Sequence, residues 1–244
     1  MSTRYNPSIV FDRLAFYMDA LSPKCYSGSG TAVNDISGNE YNGTLNGLGS
    51  QVSYNASVGS FDFTGSNGAS IAYPESNISK DPSLILTGVS GEITYEAWCF
   101  PTNVGTNRRI MSTDRSDFNC LMWAGSGRLE WAVDNSTAFK SSTNSFSTNK
   151  WWHIVGTASR AAGTTNNLHI YRNGELINTS SRNLRNPMGD GTSRPFAIGS
   201  NVEGTVSNNN CFHGKIAIIR IYGKALSAVE VKQNYNASRG RFGL

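Results

Sequence analysis

The chain has 244 residues, with 21 Lys and Arg against 17 Asp and Glu, a formal net charge of +4. A chain of this length suits one large β-sandwich as well as two small domains, and it can bury roughly 70% of its unfolded surface, so its core needs neither disulfides nor metal. The basic residues are scattered apart from Arg108-Arg109 and the pair Arg239 and Arg241, which argues against nucleic-acid binding, and no apolar run approaches the roughly 18 residues of a membrane-spanning helix.

Residues 1–7 hold no apolar stretch after their basic residue, so no secretory signal is expected and the chain is expected to fold in cytoplasm. Residues 1–12 read as an N-terminal arm. A strand near the start precedes a loop at 22–50 rich in small polar residues. Strands are then predicted at 93–100, 109–113, 119–124, 128–133, 151–159, 167–172, 196–199 and 215–222, with further loops at 136–149 and 182–194. Short β-rich runs punctuated by Gly, Asn and Ser predict an all-β fold, a two-sheet antiparallel jelly-roll sandwich.

Within this pattern Asn173-Gly174 stands between two apolar-alternating runs, and that dipeptide accepts the positive φ angles of a type I′ hairpin turn. Ser227 and Glu230 form a capping box, which predicts a short C-terminal helix at 228–236. With no linker dividing the chain, 13–238 reads as one domain and 239–244 as a C-terminal tail, with an anionic partner as one option for its arginines. No repeat or heptad appears, so a homo-oligomer would have to form through packing of the sandwich or through an ordered arm.

Five segments in order carry a family resemblance. They are Leu14-Ala15-Phe16-Tyr17-Met18-Asp19 with Asp35-Ile36-Ser37-Gly38-Asn39; Phe61-Asp62-Phe63; Ile93-Thr94-Tyr95-Glu96-Ala97-Trp98; Trp151-Trp152-His153-Ile154-Val155 running into Tyr171-Arg172-Asn173-Gly174; and Phe212-His213-Gly214-Lys215-Ile216 to Tyr222 with Ala225-Leu226-Ser227. Together they resemble the concanavalin A-like sandwich in its laminin-G-like form. The closing run from Val231 to Leu244 resembles the ending of laminin-G-like proteins of tailed phages, especially those of marine cyanobacteria. The resemblance implies a non-enzymatic virion protein, a capsid decoration or tail adhesion module, which contacts other virion proteins and turns its loops toward host-surface glycans. A free carbohydrate-binding lectin is the alternative, and a polysaccharide depolymerase a third reading.

Glycoside hydrolases of this fold need two carboxylates flanking the sugar bond, usually as Glu-x-Asp-x-Glu on one strand. Here Glu92 and Glu96 stand four apart with no middle acid, so catalysis is not expected. Glu96 should share a sheet face with Trp98 and remains a candidate ligand contact. His153, His169 and His213 all lie in or beside predicted strands and read as structural, with His153 and His169 as candidate strand neighbours. Trp123 beside Gly125-Ser126-Gly127 is the candidate aromatic platform for a sugar, Trp131 being expected in the core, and Asp114 and Asp117 are the nearby loop acids. Calcium at the sandwich rim would draw on Asp19 and Asp35, although Asp35 before Ser37-Gly38-Asn39 also fits a turn brace. Four cysteines are widely spread; Cys99 reads as a buried small hydrophobe, and two disulfides stay open.

Overall fold

The computed structural model describes residues 8–66, 70–73, 91–113, 119–133, 137–141, 146–160, 167–181, 184, 196–200 and 211–244. Its first strands are β1 (Leu14–Asp19), β2 (Ala32–Val33), β3 (Gly43–Asn46), β4 (Val52–Asn55), β5 (Ser60–Thr64) and β6 (Ser70–Tyr73). Then come β7 (Glu92–Pro101), β8 (Thr106–Thr113), β9 (Asn119–Ala124), β10 (Leu129–Val133) and β11 (Thr137–Lys140). The series closes with β12 (Trp152–Ser159), β13 (Leu168–Arg172), β14 (Glu175–Ser180), β15 (Phe196–Ile198) and β16 (His213–Tyr222), before helix α1 (Ala228–Ser238) and a 3-10 helix at Arg239–Phe242.

The strands form two antiparallel sheets. The first runs β14-β13-β12-β7-β16-β5-β4, with β1 also paired to β16, and the second runs β11-β10-β9-β8-β15-β6-β3-β2. Alternation along β7 explains how the first sheet is used: Ile93, Tyr95, Ala97 and Cys99 enter the core between the sheets, while Trp98 joins a separate cluster with Tyr235 and Phe242 on the opposite face. Both faces of the strand are therefore buried, one by the second sheet and one by α1 and the 3-10 helix.

Local chemistry fixes the main turns and close approaches. Asn173 and Gly174 sit at φ 52° and 77°, the paired positive values that a type I′ turn requires. Gly156 on β12 lets the Trp131 indole lie against the strand, since a Cβ there would stand 2.6 Å from that ring. The capping box starts α1 as expected: Ser227 Oγ accepts from the Glu230 amide at 3.3 Å, and the Glu230 carboxylate accepts from the Ser227 amide at 2.9 Å.

The described ends depart from the predicted arm and tail. Residues 1–7 lie outside the described residues, but 8–12 dock on α1: the Val10 amide donates to Asn234 Oδ1 at 2.8 Å, and Gln233 donates to the Ser8 carbonyl. At the other end, Phe242 stacks on Trp98 at 4.2 Å and Arg241 bonds Asp19, so 239–244 belongs to the body of the domain. An aromatic ring and an arginine that both find partners on the sheet hold the segment down, and Arg241 is not left for an external anion. The polar loop at 22–50 contains β2 and β3, and that at 136–149 contains β11. Of the loop at 182–194, only residue 184 lies within the described residues.

His153 and His169 are not strand neighbours: His169 pairs with Thr157, while His153 sits at the hairpin end of β12, where its amide and carbonyl bond Asn173. All four cysteines are buried and none forms a disulfide. Burial pushes the Cys25 thiol up to about 12 and Cys99 higher still, which makes them inert hydrophobes rather than nucleophiles. Among the described residues no helix is long and apolar enough to cross a membrane.

Candidate functional site

The face of the first sheet beneath α1 carries the densest polar chemistry among the described residues. Register sets Tyr17 of β1 opposite Arg220 of β16, and Arg220 opposite Glu96 of β7. Glu96 is fully buried and Arg220 is 1% exposed. Two charges can be held in such a place only if each is paired and bonded. Arg220 Nη1 donates to Glu96 Oε1 at 2.5 Å, His153 Nε2 stands 3.1 Å from the same oxygen, and Asn234 Nδ2 of α1 donates to Oε2 at 2.6 Å. Arg220 also donates to Ser238 Oγ at 3.2 Å and lies 4.8 Å over the Tyr17 ring.

Burial alone would raise the Glu96 pKa, but the Arg220 charge, with His153 and Asn234 donating, outweighs it and holds the carboxyl at about 2. Glu96 does share a face with Trp98, as expected. Its role as a ligand contact is overturned, because both oxygens are saturated within the protein and neither reaches solvent. Glu92 accepts from Ser159 Oγ at 3.2 Å at the start of the strand. A carboxyl held that low stays ionised and has no proton to deliver to a leaving group at neutral pH.

Beside this cluster, where β1 meets α1 and the 3-10 helix, opens a groove of about 580 Å³. Its polar lining includes Tyr17, Asp19, Arg220, Ser238, Arg239 and Arg241, over an apolar floor that includes Ile218. Arg241 is fixed by Asp19 Oδ1 at 2.6 Å and by the Val58 and Gly59 carbonyls. Arg239 is the exposed arginine of the set, its guanidinium 5.9 Å from the centre of the Tyr235 ring. The result is a half-polar cleft with a phenol, a hydroxyl and a free guanidinium on its rim, the mixture that orients a small polar ligand.

The structure places most of the other expected site residues. Trp123 is 0% exposed and packs edge-on against Phe146 at 4.9 Å, so it joins Trp131 in the core and presents no platform. Asp114 and Asp117 lie outside the described residues. Asp35 is 8% exposed, and its oxygens accept from the Tyr17, Ser37 and Tyr41 amides and from Ser37 Oγ, which is a turn brace. Asp19 is taken by Arg241 and the Leu21 amide. Both carboxylates are engaged within the protein, and no group of three or more His, Cys, Asp and Glu side chains able to hold a metal ion occurs among the described residues.

Arg220 and Asn234 are missing from the residues expected from sequence, and Arg239 enters there only as a tail arginine open to an anion. One signal was available: Arg220 interrupts the apolar run from Ile216 to Tyr222, and an arginine inside a buried strand must find a countercharge.

Comparison with known proteins places these features in context. Residues 74–232 match the family described as the concanavalin A-like lectin/glucanases superfamily, and no curated protein matches the chain. Among solved structures, domain 4 of AbnA, an extracellular arabinanase of Geobacillus stearothermophilus solved with arabinotriose, aligns with a TM-score of 0.62 at 18% identity, covering 91% of this chain and 98% of that one. The binding domain of botulinum neurotoxin DC in complex with SialylT gives 0.63 at 14% identity, over 93% of this chain and 52% of that one. Trypanosoma rangeli sialidase gives 0.61 at 12%, over 93% and 33%. The chain thus spans about half of the neurotoxin domain and a third of the sialidase, and at these identities the likeness is one of fold.

Proposed function

Because the chain belongs to the concanavalin A-like lectin/glucanases superfamily, we propose that it is a glycan-binding domain that holds its ligand without cleaving it. The observation that carries this reading is the saturation of Glu96 by Arg220, His153 and Asn234 beside an open half-polar groove. The carboxylate best placed by sequence for catalysis is spent on structure, while the rim groups that recognise hydroxyls are left accessible. The arabinanase domain that aligns nearly end to end was solved holding arabinotriose, which supports a binding role for a sandwich of this size. A glycan array probed with and without calcium is expected to give binding, and Arg239→Ala to weaken it about tenfold, the loss of one charge-assisted hydrogen bond. Silence across the array would overturn the reading, as would release of reducing ends from a bound polysaccharide.

The finer reading is an adhesion module of a tailed-phage particle, in contact with other capsid or tail proteins. It rests on the resemblance of the closing segment 231–244 to phage proteins. Immunogold labelling of particles purified from the encoding phage is expected to mark the head, for a decoration protein, or the tail, for a host-recognition adhesin. Unlabelled intact and opened particles would overturn the virion assignment and leave a free lectin.

A further inference from the structure

Where the cover of α1 and the 3-10 helix ends, one row of the same sheet face is left half-exposed. Ser53 of β4, Asp62 of β5, Lys215 of β16 and Phe100 of β7 stand directly opposite one another in register. Trp151, the residue before β12, closes the row with its ring 5.6 Å from Phe100, edge to face. Ser53 is exposed and the other four are partly exposed, Lys215 and Asp62 keeping 28% and 25% of their side-chain surface.

Three members of the row, Trp151, Lys215 and Asp62, are held by neighbouring side chains. Trp151 rests on Phe242 at 4.5 Å, and its indole N–H is neither buried nor bonded to a described residue. Lys215 donates to Asp62 Oδ2, while Ser60 Oγ donates to Asp62 Oδ1 at 2.7 Å. The row therefore presents two aromatic rings in mutual contact beside a carboxylate and an ammonium whose charges cancel, and a hydroxyl. A pyranose has the complementary surface: an apolar face of C–H bonds ringed by hydroxyls that both donate and accept.

We infer that Trp151, Phe100, Lys215, Asp62 and Ser53 form a platform for a neutral pyranose, separate from the groove at Tyr17 and Arg239. The sugar's C–H face lies on the Trp151 indole, Phe100 at 61° to that ring walls one edge, Asp62 accepts from hydroxyls, and Lys215 and the indole N–H donate to them. Charge neutrality of the Lys215 and Asp62 pair selects against acidic sugars. This inference rests on the glycan-binding reading and adds to it a second subsite and a ligand class.

The test uses the full chain and the neutral and acidic oligosaccharides of a defined array, followed by titration with the neutral oligosaccharide that binds most strongly. Trp151→Ala and Asp62→Asn are each expected to weaken that binding roughly tenfold. Asp62→Asn keeps both aromatic rings and so separates recognition from folding, and wild-type tryptophan emission should change on titration while that of Trp151→Ala does not. Unchanged binding by both variants, with loss confined to Arg239→Ala, would overturn the platform and leave the glycan reading intact. Binding of acidic oligosaccharides alone would also overturn it, and no binding to any glycan would overturn both.

Discussion

Replacing Arg220 with alanine is expected to cost about 3–5 kcal/mol, enough to threaten a domain whose total stability is of the order of 5–15 kcal/mol. The loss does not come from the attraction removed. It comes from the Glu96 carboxylate left behind, fully buried and with its one full countercharge gone. Urea or thermal unfolding should therefore separate two variants. Arg220→Met in a Glu96→Leu background removes both charges and should recover much of the stability lost by Arg220→Ala, since a well-packed apolar pair often equals or exceeds a buried ion pair. A double variant as unstable as the single one would mean that the cluster contributes through its hydrogen bonds to α1 instead.

The same cluster sets the response to acid. The folded carboxyl titrates at about 2 against an ordinary 4.5, so the unfolded chain binds the proton more readily. The stability from this group is present above pH 4.5 and disappears as pH falls toward 2. Glu96→Gln should flatten the stability curve over that window relative to wild type.

Much of the architecture was legible where a local rule has one physical solution. Asn173-Gly174 and the Ser227 and Glu230 box each satisfy a specific backbone need, and both appear as expected. Most strands from β7 onward, though not β11 in the expected loop at 136–149, were legible because apolar runs there are long and bounded by Gly or polar turns. What failed was the assignment of faces. Trp123 on β9 and its neighbour Met122 are both buried, one in the core between the sheets and one in a separate cluster with Cys120 and Ala132, so apolar character cannot say which side is which.

A bulge compounds the problem in β16. The register shift between Ile216 and Ile218 puts Ile216, Ile219 and Ile221 into one core and leaves Ile218, Arg220 and Tyr222 on the other face. Simple alternation would have grouped Ile216 with Arg220. The pairing of Arg220 with Glu96, 124 residues apart, thus depends on one extra residue in a ladder. Trp151 was hidden for a related reason: it begins a predicted strand, yet in the structure it stands just outside the strand and stays partly exposed.

The second large effect is expected at Phe242→Ala, with a loss of about 3–5 kcal/mol for a buried aromatic ring. Phe242 is 7% exposed, and its ring stacks on Trp98 at 17° and leans on Trp151. Removing it unroofs Trp98, which is otherwise wholly buried in the second core. The readout should be local as well as global: a lowered melting temperature, a red-shifted tryptophan emission, and faster amide exchange in the 3-10 helix while Asn234 keeps α1 tied to Glu96. Leu244→Ala, at a residue 42% exposed, should change none of these. A Phe242→Ala protein with unaltered melting would return 239–244 to the free tail that its sequence suggests. A destabilised one makes the last residues the roof of the sheet face that carries both proposed subsites, because Arg241 walls the groove on one side of the 3-10 helix and Phe242 supports Trp151 on the other.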